Sequence, residues 1–197
     1  MSDTTIKLPQ PDTTGSVPLE TAIAKRRSVR RYTTQELTIE QIGQLLWAAQ
    51  GITGGKDVQR AAPSAGGLHP LLFYVARSDG LWAYDHQEHA LVRHTEGDVR
   101  VPLAEASWGQ KFIAEAPCVI VVSAIMERTT RKYKERGEVR YVPMDAGHAA
   151  QNILLQAVAL DLASVPVGAF VDKAVTGALS LPEPQVPLYI LPVGHPR

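Results

Sequence analysis

The sequence predicts an α+β domain with a central, mainly antiparallel sheet flanked by helices, on three observations. First, strand-like and helix-like runs are mixed without the steady alternation that builds a parallel sheet. Second, residues 71–77, 81–85 and 90–94 form three β-rich runs whose short connections suit hairpins, and hairpins make antiparallel neighbours. Third, Cys118–Ile125 is apolar and β-branched almost throughout, as a strand covered on both faces must be.

Taken in order, residues 1–18 hold Pro9, Pro11 and Pro18 among Thr, Asp and Gly. They are expected to form an extended arm outside a single domain of residues 19–197. Leu19–Lys25 reads as a short helix. Thr38-Ile39-Glu40-Gln41 is a capping-box pattern, and Ile39, Ile42, Leu45, Leu46 and Ala49 follow at helical spacing until Gly51. Residues 52–70, rich in Gly, Ser, Ala and Pro, read as one long loop, and such loops are usually functional. Beyond the three strand runs, residues 99–108 and 111–116 look helical and Pro117 stops them. A charged stretch occupies 127–140. Residues 145–162 are apolar nearly all round, so a helix there is expected inside the fold or in an interface. Residues 165–170 make a Pro/Gly-punctuated turn, and 186–193 a last strand.

Composition narrows the function. Lys+Arg and Asp+Glu both number 20 among 197 residues, so the basic excess typical of nucleic-acid or anionic-membrane binding is missing. Cys118 is the one cysteine, which rules out a disulfide framework or a multi-thiolate site. Met1–Thr5 lack the basic-then-apolar order of a signal peptide, and no apolar run reaches about 20 residues, so a cytoplasmic, non-membrane protein is expected.

Several segments carry chemistry. In Arg26-Arg27-Ser28-Val29-Arg30-Arg31, an extended backbone would put Arg26, Ser28 and Arg30 on one side. Two guanidinium forks around a hydroxyl match a phosphate dianion, although such a cluster can also be a solvated basic patch. Pro63-Ser64-Ala65-Gly66-Gly67-Leu68-His69-Pro70 has paired glycines that let backbone approach a flat ligand, between prolines that limit its motion. Val165-Pro166-Val167-Gly168-Ala169-Phe170 again offers bare backbone, as a ligand edge or as a plain connector. His148, Gln151 and Asn152 share a helix face and could meet at one site or be satisfied within the fold.

Other motifs fail. Residues 51–57 lack phosphate-loop spacing, and Asp57 stands where a magnesium-binding hydroxyl belongs. No G-x-G-x-x-G follows a strand. His86, His89 and His94 sit in hairpins without a carboxylate-rich helix beside them, so no metal is expected. Cys118 in a buried strand reads as a small hydrophobe. No Ser-His-Asp set can be chosen.

In sequence order, RRSVRRY after a short helix, PSAGGLHP before a strand, APCVIVVSA, DAGHAAQNILLQAVAL with VPVGAF, and YILPVGHP resemble the nitroreductase family of FMN oxidoreductases across residues 19–197. The Gly-Gly-Leu-His-Pro form and the DAGHAAQN helix most resemble the azoline-dehydrogenase branch, which makes thiazole and oxazole rings in modified peptides. The resemblance implies a nitroreductase-like fold and a homodimer with a long buried interface helix and two FMN molecules. It implies that Arg26, Arg27, Ser28 and Arg30 bind the ribityl phosphate. Pro63, Ser64, Ala65 and Gly67, from the other subunit, would line the isoalloxazine. Pro166, Val167 and Gly168 would cover the flavin edge near N5, and Gln110 would reach the pyrimidine end. Arg197 would stand in for basic residues that relatives place further along the chain. The chain departs from many nitroreductases in having Gly67 for Asn, His69 for Gln, and no acidic residue at Gly168. The implied reaction is ping-pong hydride transfer from NAD(P)H to a nitroaromatic, quinone or similar acceptor, with the chemistry on the flavin and no catalytic side chain. Azoline dehydrogenation and a non-catalytic flavin-binding or sensor module are the alternatives.

Overall fold

The computed structural model describes residues 5–55 and 59–197. Along the chain come β1 (Thr5–Lys7), α1 (Leu19–Lys25), α2 (Ile39–Gln50), β2 (Ile52–Gly54), β3 (Gln59–Arg60), β4 (Leu71–Arg77), β5 (Gly80–Asp85) and β6 (Ala90–Thr95). They are followed by α3 (Arg100–Ala106), α4 (Lys111–Glu115), β7 (Cys118–Ile125), α5 (Glu127–Tyr133), α6 (Val142–Ala159), β8 (Ala163–Ser164), α7 (Asp172–Leu179) and β9 (Gln185–Gly194). Seven strands form one sheet in the order β1-β6-β5-β4-β7-β9-β8, and every pairing in it is antiparallel. The β4–β5–β6 meander follows from the two short connections read in the sequence.

β7 lies between β4 and β9, and seven of its eight residues are buried. Side chains alternate across a strand, so Ile120 and Val122 join Phe73 and Val75 under α2 and α6. Val119 and Val121 join Tyr74 and Ala76 under α3, α4 and α7. Each fully buried Val, Leu or Ile contributes about 1.5–3 kcal/mol relative to exposure. This doubly covered strand is the middle of the molecule. Burial pushes the Cys118 thiol up to about 12, so it is an inert part of that core.

The capping box is present at α2. Gln41 N–H donates to Thr38 Oγ1 at 3.2 Å, and Thr38 N–H donates to Gln41 Oε1 at 3.0 Å. Other expectations need correction. The arm is not wholly outside the core: Thr5–Lys7 adds an edge strand to β6, and Leu8 is buried. Pro9 and Pro11 then end the ladder, because proline has no N–H to give it. Residues 52–70 are not one loop, since β2 and β3 pair within them; Lys56 and Asp57 of the failed phosphate-loop motif lie outside the described residues. The apolar helix begins at Val142 and ends at Ala159. Pro143 fits its first turn, where an N–H has no partner, and Asp161 at φ 56° turns the chain away. α6 buries one side against α2 and the sheet, whereas His148 and Gln151 are exposed. Asn152 donates to the carbonyls of Ala48 (2.9 Å) and Ala61 (3.4 Å), so these three residues do not converge. Two of the hairpin histidines serve the fold. His89 bridges Tyr84 and the Pro9 carbonyl, and His94 lies 3.1 Å from the carbonyls of Leu179 and Ser180. No helix among the described residues is long and apolar enough to cross a membrane.

Candidate functional site

The segment after α1 is held by its backbone. Val29 N–H donates to Ser164 O (3.1 Å), Thr33 N–H to His195 O (2.9 Å), and Arg197 N–H to Arg31 O (3.2 Å). Buried Tyr32 adds a side-chain tie: its hydroxyl donates to Val29 O at 2.6 Å, with Pro192 O at 3.2 Å. Burial raises that phenol well above its usual range, so it stays a donor. Gly194 permits the close approach, because a Cβ there would stand 2.8 Å from Pro117 Cδ and 2.9 Å from Tyr32 Cβ.

No ion pair involves Arg26, Arg27, Arg30 or Arg31 among the described residues. Arg26 and Arg27 line a cavity of about 370 Å³ with Lys25, Leu154, Val158, Asp161, Ser164 and Pro196. Arg27 also folds back to donate to the carbonyls of Ala24 (2.9 Å) and Arg26 (2.7 Å). Ser164 is 3% exposed, and its hydroxyl has no partner among the described residues. That oxygen has almost no accessible surface, so the groups in this wall that can meet an oxyanion are the two guanidinium groups. Ser28 is exposed and bridges to Ser164 through the backbone. Arg30 is not part of the cavity wall; its guanidinium stacks 5.6 Å from the Phe112 ring of α4. The C-terminal Arg197 lies alongside through its backbone bond to Arg31.

The second region is the loop before β4. Ser64 Oγ donates to Asp145 Oδ2 at 2.6 Å and accepts from His69 N–H at 2.9 Å. Ala65 N–H donates to Asp145 Oδ1 at 3.3 Å. Gly66 and Gly67 both have left-handed φ, 64° and 65°. A Cβ on Gly66 would stand 2.8 Å from the Tyr133 hydroxyl, whereas one on Gly67 would meet nothing within 4 Å. Arg128 donates to His69 O at 3.1 Å and closes the far end.

The third region joins two turns. Val167 exchanges backbone hydrogen bonds with Ile190 at 2.8 and 3.0 Å, which leaves Gly168 exposed beyond it. Gln110 Nε2 donates to Ser107 O (2.9 Å) and Ala169 O (3.0 Å). Its amide oxygen makes no hydrogen bond among the described residues. Thus Gln110 and the Pro166–Gly168 turn are brought together, as are the arginine segment and Arg197. The Pro63–Gly67 loop stands apart, at the other end of α6. Asp145 near the start of that helix and Val158 near its end are about 20 Å apart at 1.5 Å per residue. Sequence reasoning missed Asp145, Ser164 and Arg128. Only Asp145 lay in a segment already singled out.

Comparisons with known proteins identify the family and the fold. The model of the nitroreductase family matches residues 23–195. An inferred nitroreductase of Methanocaldococcus jannaschii is 41% identical over 185 residues, covering 91% of each chain. The crystal structure of an inferred nitroreductase from Ralstonia eutropha JMP134 superposes with a TM-score of 0.88 at 30% identity, over 98% of this chain and 90% of that one. A chain of the Escherichia coli microcin synthetase McbBCD complex with truncated pro-MccB17 bound shares the fold, with a TM-score of 0.74 at 21% identity over 95% of this chain and 77% of that one. The chain belongs to the nitroreductase family and has its fold; its class is oxidoreductase.

Proposed function

We propose that the protein is an FMN-dependent oxidoreductase, working as a two-fold dimer, that passes hydride from NAD(P)H to a nitroaromatic, quinone or similar acceptor. The observation that carries this reading is the cavity walled by Arg26 and Arg27, which form no ion pair among the described residues. Those groups suit the ribityl phosphate, with Arg30, Ser28 and Arg197 alongside. Asp161 in the same wall would repel a dianion, so the phosphate sits toward the arginine side. The Gln110 amide oxygen can accept from a ring N–H, and the bare backbone at Gly168 can lie against the ring edge. The bound flavin supplies the two-electron chemistry. The chain's part is to bind it, orient it and leave one ring face open to donor and acceptor in turn.

The same geometry supports the dimer. The Pro63–Gly67 loop and the arginine cavity lie at opposite ends of α6, so one chain does not close both around a single ring system. A second copy related by a two-fold axis brings its loop to the first copy's cavity. Leu155 and Val158 on α6, each half-buried in the single chain, are available for that contact.

The test is direct. The purified protein should carry a flavin spectrum or gain one with FMN, be bleached rapidly by NADH or NADPH, and recover with a quinone or nitroaromatic. A protein that stays colourless with added FMN refutes the reading, and one that binds FMN without turnover is the sensor module. A second reading, azoline dehydrogenase, is favoured by the Gly-Gly-Leu-His-Pro loop and the DAGHAAQN helix. It predicts slow turnover with NAD(P)H and a requirement for a peptide-bearing partner.

A further inference from the structure

Ser64 has one proton and two lone pairs to distribute. A carboxylate can only accept, so the 2.6 Å contact with Asp145 Oδ2 takes the proton, and the 2.9 Å contact with His69 N–H uses a lone pair. Asp145 is 3% exposed and forms no ion pair among the described residues. Its charge is met by Ser64, by Ala65 N–H and by its place in the first turn of α6. A buried carboxylate so placed holds its donors strongly, because charge-assisted hydrogen bonds exceed neutral ones. Gly67, with nothing within 4 Å of where a Cβ would stand, opens the outer side of the loop.

We propose that Asp145 is a positioning residue: by accepting from the Ser64 hydroxyl and the Ala65 N–H, it fixes the loop so that backbone at Gly67, not the serine hydroxyl, meets the flavin. This rests on the FMN reading of the loop and goes beyond it, since that reading lines the isoalloxazine with Pro63, Ser64, Ala65 and Gly67 and names nothing that holds the loop in place. Asp145 lies on a different element from every residue assigned to the flavin and acts only through the loop.

The consequences separate by substitution. Asp145→Ala leaves two donors without their acceptor and frees the loop. Asp145→Asn can keep the shape, with its amide oxygen accepting from Ala65 and its amide nitrogen donating to Ser64. Ser64→Ala breaks the same unit from the other side, and groups in one network respond non-additively.

The experiment measures FMN dissociation constants by fluorescence titration for wild type, D145A, D145N, S64A and the D145A/S64A double variant. Amide hydrogen exchange of residues 64–69 is followed in the flavin-free protein. The expected result is an affinity loss of about tenfold in D145A, the size of one charge-assisted contact. D145N should restore most of it, and the double variant should be no weaker than D145A. Exchange at Ala65 and His69 should speed up in D145A and S64A but not in D145N. Asp98→Asn, which breaks the ion pair with Arg100 elsewhere in the molecule (2.7 Å), should leave FMN affinity unchanged. If D145A does not fold, S64A and D145N carry the test: loss in the first and near wild-type binding in the second support the proposal. Equal FMN affinity in D145A or S64A and wild type overturns it, as do additive losses in the double variant. A wild type that binds no FMN instead refutes the proposed function, so the two failures are distinct.

Discussion

The arginine segment and the proline–glycine loop are built in opposite ways. From Val29 to Thr33 the backbone is tied to Ser164 and His195, while the guanidinium groups carry no ion pair among the described residues. In the loop the side chains of Ser64 and Asp145 are tied to each other, and the backbone at Gly67 is left bare. One region offers charge without an ion-pair partner on a fixed main chain, and the other a fixed main chain with open glycine backbone. An anion needs the first and a flat ring needs the second. A ligand with a phosphate at one end and a planar ring at the other calls for both.

The comparison can be broken at either side. The largest effect is expected at Gly194, where any Cβ collides with Pro117 and Tyr32. Gly194→Ala should cost about 2–3 kcal/mol, the range of an overpacked core, measured by urea denaturation. Gly66→Ala forces a side chain into left-handed backbone beside the Tyr133 hydroxyl. It should cost about 1–2 kcal/mol and loosen the loop, visible as faster amide exchange at residues 64–69. Tyr32→Phe removes the hydroxyl that holds Val29 and leaves the packing, so about 1 kcal/mol is expected from the same denaturation curves.

The smallest effect is a pH dependence at a place outside both regions. His89 bridges the Tyr84 hydroxyl and the Pro9 carbonyl, each at 2.9 Å, and burial holds its pKa below the ordinary 6.5. His86 is shifted the same way, again chiefly by burial. A histidine whose folded pKa is depressed binds its proton more readily when unfolded, so stability rises with pH across the gap. The contribution is complete above 6.5 and is lost as pH falls through the folded value. Thermal melts between pH 7 and 5 should show a falling midpoint, and His89→Gln should flatten that slope.

These sites also show what could be read in the sequence. Thr38 and Gln41 were legible because a capping box is closed within one helical turn. The central strand was legible because burial on both faces demands a nearly continuous apolar run, and residues 118–125 have one broken only by Ser123. The loop glycines announced themselves, since paired glycines between prolines serve few purposes. Their anchor did not: Asp145 lies 81 residues from Ser64, and a buried aspartate reads in sequence like any surface charge. Ser164 was invisible for the same reason, because a serine's lack of a partner is a property of the folded cavity. Strand β1 was missed because three residues followed closely by prolines carry too little pattern, and only its pairing with β6 defines it.

The central claim is that the arginines after α1 hold a phosphate. Fluorescence titration of FMN and of riboflavin, which lacks the phosphate, against wild type, Arg26→Ala and Arg30→Ala tests it most directly. The account predicts that FMN binding weakens at least about tenfold in Arg26→Ala, one decade being about 1.4 kcal/mol. Arg30→Ala should change it in the same direction, while riboflavin binds every protein poorly and almost equally. Equal FMN affinities across the three proteins would contradict it and return the cluster to a solvated basic patch.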